Sequence, residues 1–337
     1  MSTARRGRHA VSFVLIALMT LAGSHPALAY LKFGIDVNGR QVTLRWTTTP
    51  VRYFVTNQGV NGVSAADFQS AAARAFATWQ AVPTASISYV FGGFTANGPG
   101  DDDGRSTLGF RSEPSLDRVL ASTSYLIDDL TGELLETDIF FNSAFAWSVA
   151  ANGEPNRWDV ESIALHEIGH LNGLGHSAIG ETEMASGGRH VLSTGAVMFP
   201  IALGAGDISG RHLDADDIAG VSDLYPDNRF TADTGSISGR VTKNGRGVFG
   251  AHVVAFDPAN GDLIANFTLD NNGQFSIAGL QPGPHVIRIE PLDDADTASF
   301  FDASEAVDLS FRAKYYDRLV VVPRGGDSGA IQLSVEP

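Results

Sequence analysis

The sequence predicts two domains of different class: an α+β domain up to about residue 226, then an all-β sandwich from residue 236 to the end. Three observations predict it. Between Tyr30 and Tyr225, strand-like alternation gives way twice to helical spacing, first at Phe68, Ala72, Phe76 and Trp79, then in the run that starts at Val160. After Pro226, the polar run 227–235 reads as a linker. Beyond it, short alternating segments recur between Asn260-Gly261, Asn272-Gly273 and Pro282-Gly283 turns.

Residues 1–29 have the order of an export leader. Arg5, Arg6 and Arg8 make a basic start, Val11 to Ala22 a short apolar run, and Ala27-Leu28-Ala29 a small-residue cleavage site. The apolar run is short for a bilayer span, so the expected product is a secreted chain, extracellular or periplasmic, that begins near Tyr30. Val51 to Val55 reads as a strand, and Ser64 as the cap of a helix whose apolar face is Phe68, Ala72, Phe76 and Trp79 and which Pro83 ends. Ser86 to Phe91 and Val119 to Leu126 alternate as strands, and Glu136 to Asn142 follows a Thr131-Gly132 turn. Asp159 is placed to cap the next helix, which begins at Val160. In the second domain the expected strands are 237–241, 251–256, 263–269, 274–277 and 285–289, with closing strands in 315–322 and 330–335. Residues 292–311 read as an acidic, irregular insertion, and His252 and His285 as surface or packing residues.

Composition narrows the function. A chain of 337 residues with 43% apolar content is comfortable for two cored domains. Cysteine is absent, which excludes a disulfide framework and cysteine metal ligands. Loss of the leader removes three arginines and no acid, so 20 basic residues face 38 acids and the net charge goes from -15 to -18. Such a surface disfavours nucleic acid and anionic membranes, and a monomer is the expected state.

The densest chemistry lies at residues 166 to 176, His-Glu-Ile-Gly-His-Leu-Asn-Gly-Leu-Gly-His. His166 and His170 stand one helical turn apart on one face and can share an ion, while Glu167 reaches a water beside it without ligating. His176 lies six residues further on, too far along a continuing helix, so the chain has to turn. Gly173 is placed for that turn, because glycine takes the left-handed conformation without steric cost. Three protein ligands leave a fourth position open, as in catalytic rather than structural zinc.

These residues resemble the metzincin clan, and their surroundings are most similar to its matrixin branch. Ser177 follows the third histidine, as in matrixins, where astacins usually have Glu and serralysins Pro. Ala196-Val197-Met198-Phe199-Pro200 resembles the Met-turn, which implies that Met198 forms an apolar floor under the three imidazoles. Pro200 stands where astacins and serralysins carry a Tyr. Asp214 to Tyr225, with the paired acids Asp216 and Asp217, resembles the closing helix of the matrixin domain. The implied fold is a metzincin domain, a twisted mixed sheet with a zinc-binding helix, and the implied substrate is a protein or peptide laid along the 119–126 edge strand. Residues 199–203 would wall the pocket after the scissile bond. The second domain resembles carboxypeptidase regulatory-like, transthyretin-like modules.

The expected activity is that of a zinc metalloendopeptidase with one catalytic Zn2+, held by His166, His170 and His176, and a zinc-activated water for which Glu167 is the general base. The resemblance adds structural Ca2+ as a second cofactor, with Asp101, Asp103, Asp128, Asp129 and Asp138 as candidate oxygens, although no complete calcium-loop pattern occurs. A second zinc is not expected, since no histidine occurs between His25 and His166. Without cysteine, the family's propeptide cysteine switch is ruled out as a latency device. Serralysin-type nonapeptide repeats are missing downstream. The alternative of another class is a non-catalytic exported adhesion or binding protein, with the sandwich as its working part and the first domain as scaffold.

Overall fold

Val51–Thr56 (β1) buries Val51, Tyr53 and Val55 and turns Arg52 outward, as period-two alternation requires. The structure, a computed structural model, describes residues 32–186, 188–302 and 305–337. The leader and its cleavage site lie outside the described residues. β1 pairs in parallel with Tyr89–Thr95 (β2) on one side and Ser106–Arg111 (β3) on the other. Ala121–Ile127 (β4) and Leu134–Asn142 (β5) complete a mixed sheet of order β2-β1-β3-β5-β4, in which β5 is parallel to β3 and β4 is antiparallel to β5. β4 is therefore an edge strand.

The reading of 86–91 as a strand starts three residues early. The Ser86 amide is taken by the Tyr225 carbonyl (2.7 Å), so ladder pairing begins at Tyr89. β3 was not legible as a strand, because its first four residues, Ser-Thr-Leu-Gly, are buried together and show no alternation. Its polar groups are buried with partners: the Ser106 hydroxyl accepts the Thr137 amide (3.1 Å), and the Thr107 amide donates to Asp138 (2.7 Å).

Ala65–Gln80 (α1) is capped by Ser64, which accepts the Asp67 amide, and buries Phe68, Ala72, Phe76 and Trp79 as the spacing predicts. Tyr53 stacks on Phe76 at 4.0 Å, fixing the helix on the sheet. Val160–Leu171 (α2) lies beside it, and the buried Trp79 indole donates to the Leu165 carbonyl (2.8 Å). Asp159 caps α2 through the Ser162 amide (2.8 Å) and accepts a bidentate pair from Arg211 Nη2 and Nε (2.6 and 2.9 Å). An antiparallel hairpin of Gly180–Ala185 (β6) and Gly188–Thr194 (β7), absent from the sequence reading, follows α2. Ala215–Leu224 (α3) closes the first core.

The run 227–235 is not a bare linker. Asp227 caps a short helix, Asn228–Asp233, and Phe230 is buried. The second domain then forms two sheets. One joins Gly235–Lys243 to Gln274–Leu280, Arg246–Gly247 and Ile331–Val335; the other joins His252–Phe256 to Leu263–Phe267 and Gly283–Glu290, with short strands at 314–315 and 320–322. Ile237, Val241, Val253, Phe275, Ile277, Ile287 and Ile289 fill the space between them. His252 and His285 are buried packing residues; His252 pairs with Glu290 at 3.0 Å. Among the described residues, no helix is long and apolar enough to cross a membrane.

The two domains share apolar contacts. Phe199 and Ala178 of the first pack with Phe267, Leu292, Phe300 and Phe301 of the second, and Ile179 and Ala196 pack with Val254 and Ala265. A buried Asp216 carboxylate at the start of α3 accepts the Ala265 amide (2.9 Å) across the boundary.

Candidate metal centre

The end of α2 is built to stop and turn. The Gly173 amide bonds the His170 carbonyl (2.7 Å) and the Leu174 amide the Gly169 carbonyl (3.1 Å), the paired bonds of a Schellman stop, with Gly173 at φ +97°. The two remaining carbonyls of the last turn are satisfied from other segments, Trp46 donating to Leu171 (2.9 Å) and Tyr225 to Asn172 (2.7 Å), and Tyr125 adds a second donor to His170 (3.1 Å). A β-carbon at residue 173 would lie 2.4 Å from the Leu44 carbonyl oxygen. Gly173→Ala should therefore cost at least about 1–2 kcal/mol from the left-handed backbone alone. Thermal unfolding checks it, and an unchanged midpoint would contradict this account of the turn.

The turn brings His176 back to the two helical histidines. One ring nitrogen from each of His166, His170 and His176 lies within 4.8 Å of the others, and His170 Nε2 and His176 Nε2 are 3.2 Å apart. Each Nδ1 meets a backbone carbonyl instead: Val197 for His166 (2.7 Å), Leu174 for His170 (2.8 Å) and Ser299 for His176 (2.6 Å). A carbonyl only accepts, so each Nδ1 carries the proton and each Nε2 presents a lone pair to the common centre. Burial lowers all three imidazoles in pKa, His170 well below its ordinary value and His176, helped by neighbouring His166, to about 3. They are thus neutral at physiological pH, and protons compete little with a cation. Three converging neutral imidazoles fit zinc.

Glu167 is 5% exposed, and its Oε2 accepts the Thr123 hydroxyl (2.6 Å) from the edge strand β4. Burial pushes its carboxyl up to about 7, against the lowering effect of the Thr123 bond. The base candidate therefore stands between α2 and the strand edge.

Met198 is 2% exposed and lies under α2 at Gly169, where a β-carbon would sit 2.2 Å from Met198 Sδ. Gly169 was not singled out in the sequence, yet an isolated glycine inside a helical pattern is the signal of such an approach. Asp217 holds the Met198 turn by accepting the Val197 (2.8 Å) and Met198 (3.1 Å) amides, and it also accepts the Asp214 amide (2.9 Å) in a capping box. The helix-end role and the site role of the paired acids coincide.

The candidate calcium acids are not gathered in one place. Asp138 is buried, accepts the Gly100 (2.5 Å) and Thr107 amides, and is pushed up to about 7 by burial. Asp101 accepts the Gly98 amide (3.1 Å) and Asp103 the Arg105 amide (3.0 Å) in the loop beside it, where Glu136 accepts the Gly104 amide (2.5 Å). Asp128 closes its own turn through the Leu130 and Thr131 amides, with Asp129 next to it. Glu136, two residues from Asp138 on the same strand, is buried beside it, although only Asp138 was singled out from the sequence. Phe199, implied as a pocket wall, is 3% exposed and faces Gly180 and the second domain.

Sequence comparisons agree with this geometry. The carboxypeptidase regulatory-like domain profile matches residues 236–312. Metalloendoproteinase 5-MMP of Arabidopsis thaliana is 43% identical over 70 residues, a match that spans 21% of this chain and 15% of that protein. The matrixin profile matches residues 45–226, more than half of the chain, and contains the histidine cluster, Glu167 and Met198: the chain belongs to the matrixin family of metalloproteases.

Proposed function

We propose that this protein is an exported zinc endopeptidase in which His166, His170 and His176 hold the metal, Glu167 is the general base and acid, and Met198 is the floor of the site. The observation that carries the reading is the convergence of three Nε2 lone pairs beside a buried carboxyl that is tied to a free sheet edge. Zinc, when bound, supplies the Lewis acidity that makes water nucleophilic at neutral pH and polarises a carbonyl. The chain does the rest. An extended peptide pairs with β4, whose outer backbone groups are unused by the sheet, so main-chain hydrogen bonds present a peptide bond whatever its side chains. Glu167 takes the proton of the attacking water and returns it to the leaving amine.

Export rests on the leader pattern of residues 1–29, and the mature chain should begin near Tyr30. Calcium, as an addition to this reading, would favour the loop around Asp101, Asp103 and Asp138, where two acids, Asp138 and Glu136, are buried together. Gelatin or casein zymography of the secreted chain, with and without a zinc chelator, tests the activity. Clearing that the chelator abolishes is the expected result. Zinc binding without clearing would favour a non-catalytic exported binding protein.

The pH dependence has a definite sign. A base must be ionised, so activity falls as pH drops through the pKa of Glu167. Burial places that carboxyl at about 7, and a cation beside it favours the ionised form and moves it down. The acid limb of kcat/KM should therefore fall at or below pH 7. Measured on a fluorogenic peptide, a limb above pH 7 would contradict the assignment of the limb to Glu167.

A further inference from the structure

Two of the three outer hydrogen bonds to the histidines are local to the first domain, and the third is not. The carbonyls of Val197 and Leu174 belong to the chain around the Met198 turn and the end of α2. The carbonyl that receives His176 Nδ1 belongs to Ser299, 123 residues away in the insertion of the second domain. We propose that the carboxypeptidase regulatory-like domain is a working part of the metal centre: Ser299 is a positioning residue whose carbonyl fixes the tautomer and ring orientation of His176, so zinc affinity depends on docking of the 292–302 segment. This inference rests on the zinc reading above.

The segment is built to aim that carbonyl. Thr297–Ser299 form a single 3-10 turn, with the Ser299 amide on the Asp296 carbonyl (2.8 Å) and the Phe300 and Phe301 amides both on the Thr297 carbonyl (3.0 and 2.9 Å). The Ser299 carbonyl projects from the end of that turn, and His176 takes it. The Phe300 ring lies edge-on to His176 at 6.0 Å and also meets Phe267 at 5.5 Å. Leu292, Ala295 and Phe301 are at most 4% exposed and pack into the shared apolar cluster with Phe199 and Ala178. Polar anchors hold the other end to the β6–β7 hairpin: Thr182 Oγ1 donates to the Asp294 carbonyl (2.7 Å), and Arg189 donates to the Asp293 carbonyl (2.7 Å).

The chemistry explains why this contact matters. A ligating imidazole whose other nitrogen donates to a fixed carbonyl is held in one tautomer and made a better ligand, and loss of such a partner costs about 10–100-fold in metal affinity. His176 is also the ligand that needs it most. His166 and His170 are oriented by the helix that carries them, whereas His176 follows a glycine turn and is held from outside.

The test is zinc affinity of the full chain, measured by competition with a chromophoric chelator. Phe300→Pro removes the amide that bonds Thr297 and forces Ser299 out of its turn geometry, which swings the carbonyl away from His176. It should bind zinc about 10–100-fold more weakly than the parent chain. Val321→Ala, at an exposed position elsewhere in the same domain, should bind as the parent does. Parental affinity in a folded Phe300→Pro chain would overturn the proposal. Failure of the parent chain itself to bind zinc would instead sink the zinc reading. If Phe300→Pro does not fold, the cobalt-loaded parent decides by proton NMR. The expected spectrum has three slowly exchanging imidazole Nδ1 protons, one with a cross-relaxation peak to the backbone of 299–300. Rapid exchange of the His176 proton, or cross-peaks only to the first domain, would overturn the assignment.

Discussion

Glu167→Gln should retain stoichiometric zinc and lose proteolysis by about 10²–10⁴-fold, the range that a positioned general base contributes. The substitution is close to isosteric, and the Gln amide oxygen can still accept the Thr123 hydroxyl that Glu167 Oε2 accepts at 2.6 Å. Removing a buried acid held near 7 by burial relieves desolvation rather than adding it, so folding should be unharmed. What is lost is the capacity to take a proton. The loss should appear in kcat, with KM for a peptide little changed, if substrate is held along β4, as proposed, rather than by Glu167. Metal analysis of the purified variant and turnover of casein or gelatin provide the two readouts. Full activity would sink the general-base assignment; a zinc-free variant would show that Glu167 serves metal binding instead.

The parts of this site that were legible in the sequence are those in which a physical requirement fixes residue type and spacing within one short segment. His166, Glu167 and His170 share a helix, so their geometry follows from its period. Gly173 announces the left-handed stop that brings His176 round, and the structure shows that stop with both of its hydrogen bonds. The core helix α1 was legible for the same reason. Ser299 was not legible, because the atom that acts is a backbone carbonyl, which every residue carries, and its acidic, irregular segment has no period. Phe300 lies in the same irregular segment and gave no sign that it would lie against His176. The strand β3 was hidden because it is buried along its first four residues and pairs on both sides, which erases alternation. Phe199 was legible as apolar but not as an interdomain contact. Where an apolar side chain finds its partner, in a substrate or in another domain, is a tertiary fact.

His176→Ala should lose both zinc and activity, and the loss of zinc should exceed that of any outer-partner variant. Zinc binding by a full set of protein ligands is worth about 10–16 kcal/mol, so one ligand of four carries roughly 3 kcal/mol, or about 10²-fold in affinity. This is a lower bound here, because the proposed centre has three protein ligands and the variant would keep two, on adjacent turns of a single helix. The fold should survive better than the metal site. The Gly173 stop and the Trp46, Tyr125 and Tyr225 bonds that complete it do not involve the His176 side chain. The Ser299 carbonyl, by contrast, loses its donor, so the interdomain contact should loosen as well. Chelator competition on the folded variant checks the prediction, and tight zinc retention would remove His176 from the ligand set. Set beside Glu167→Gln, the pair separates the two jobs of the cluster: one variant keeps metal and loses chemistry, the other loses chemistry because it loses metal. If both kept zinc, the third protein ligand would have to be a residue other than His176.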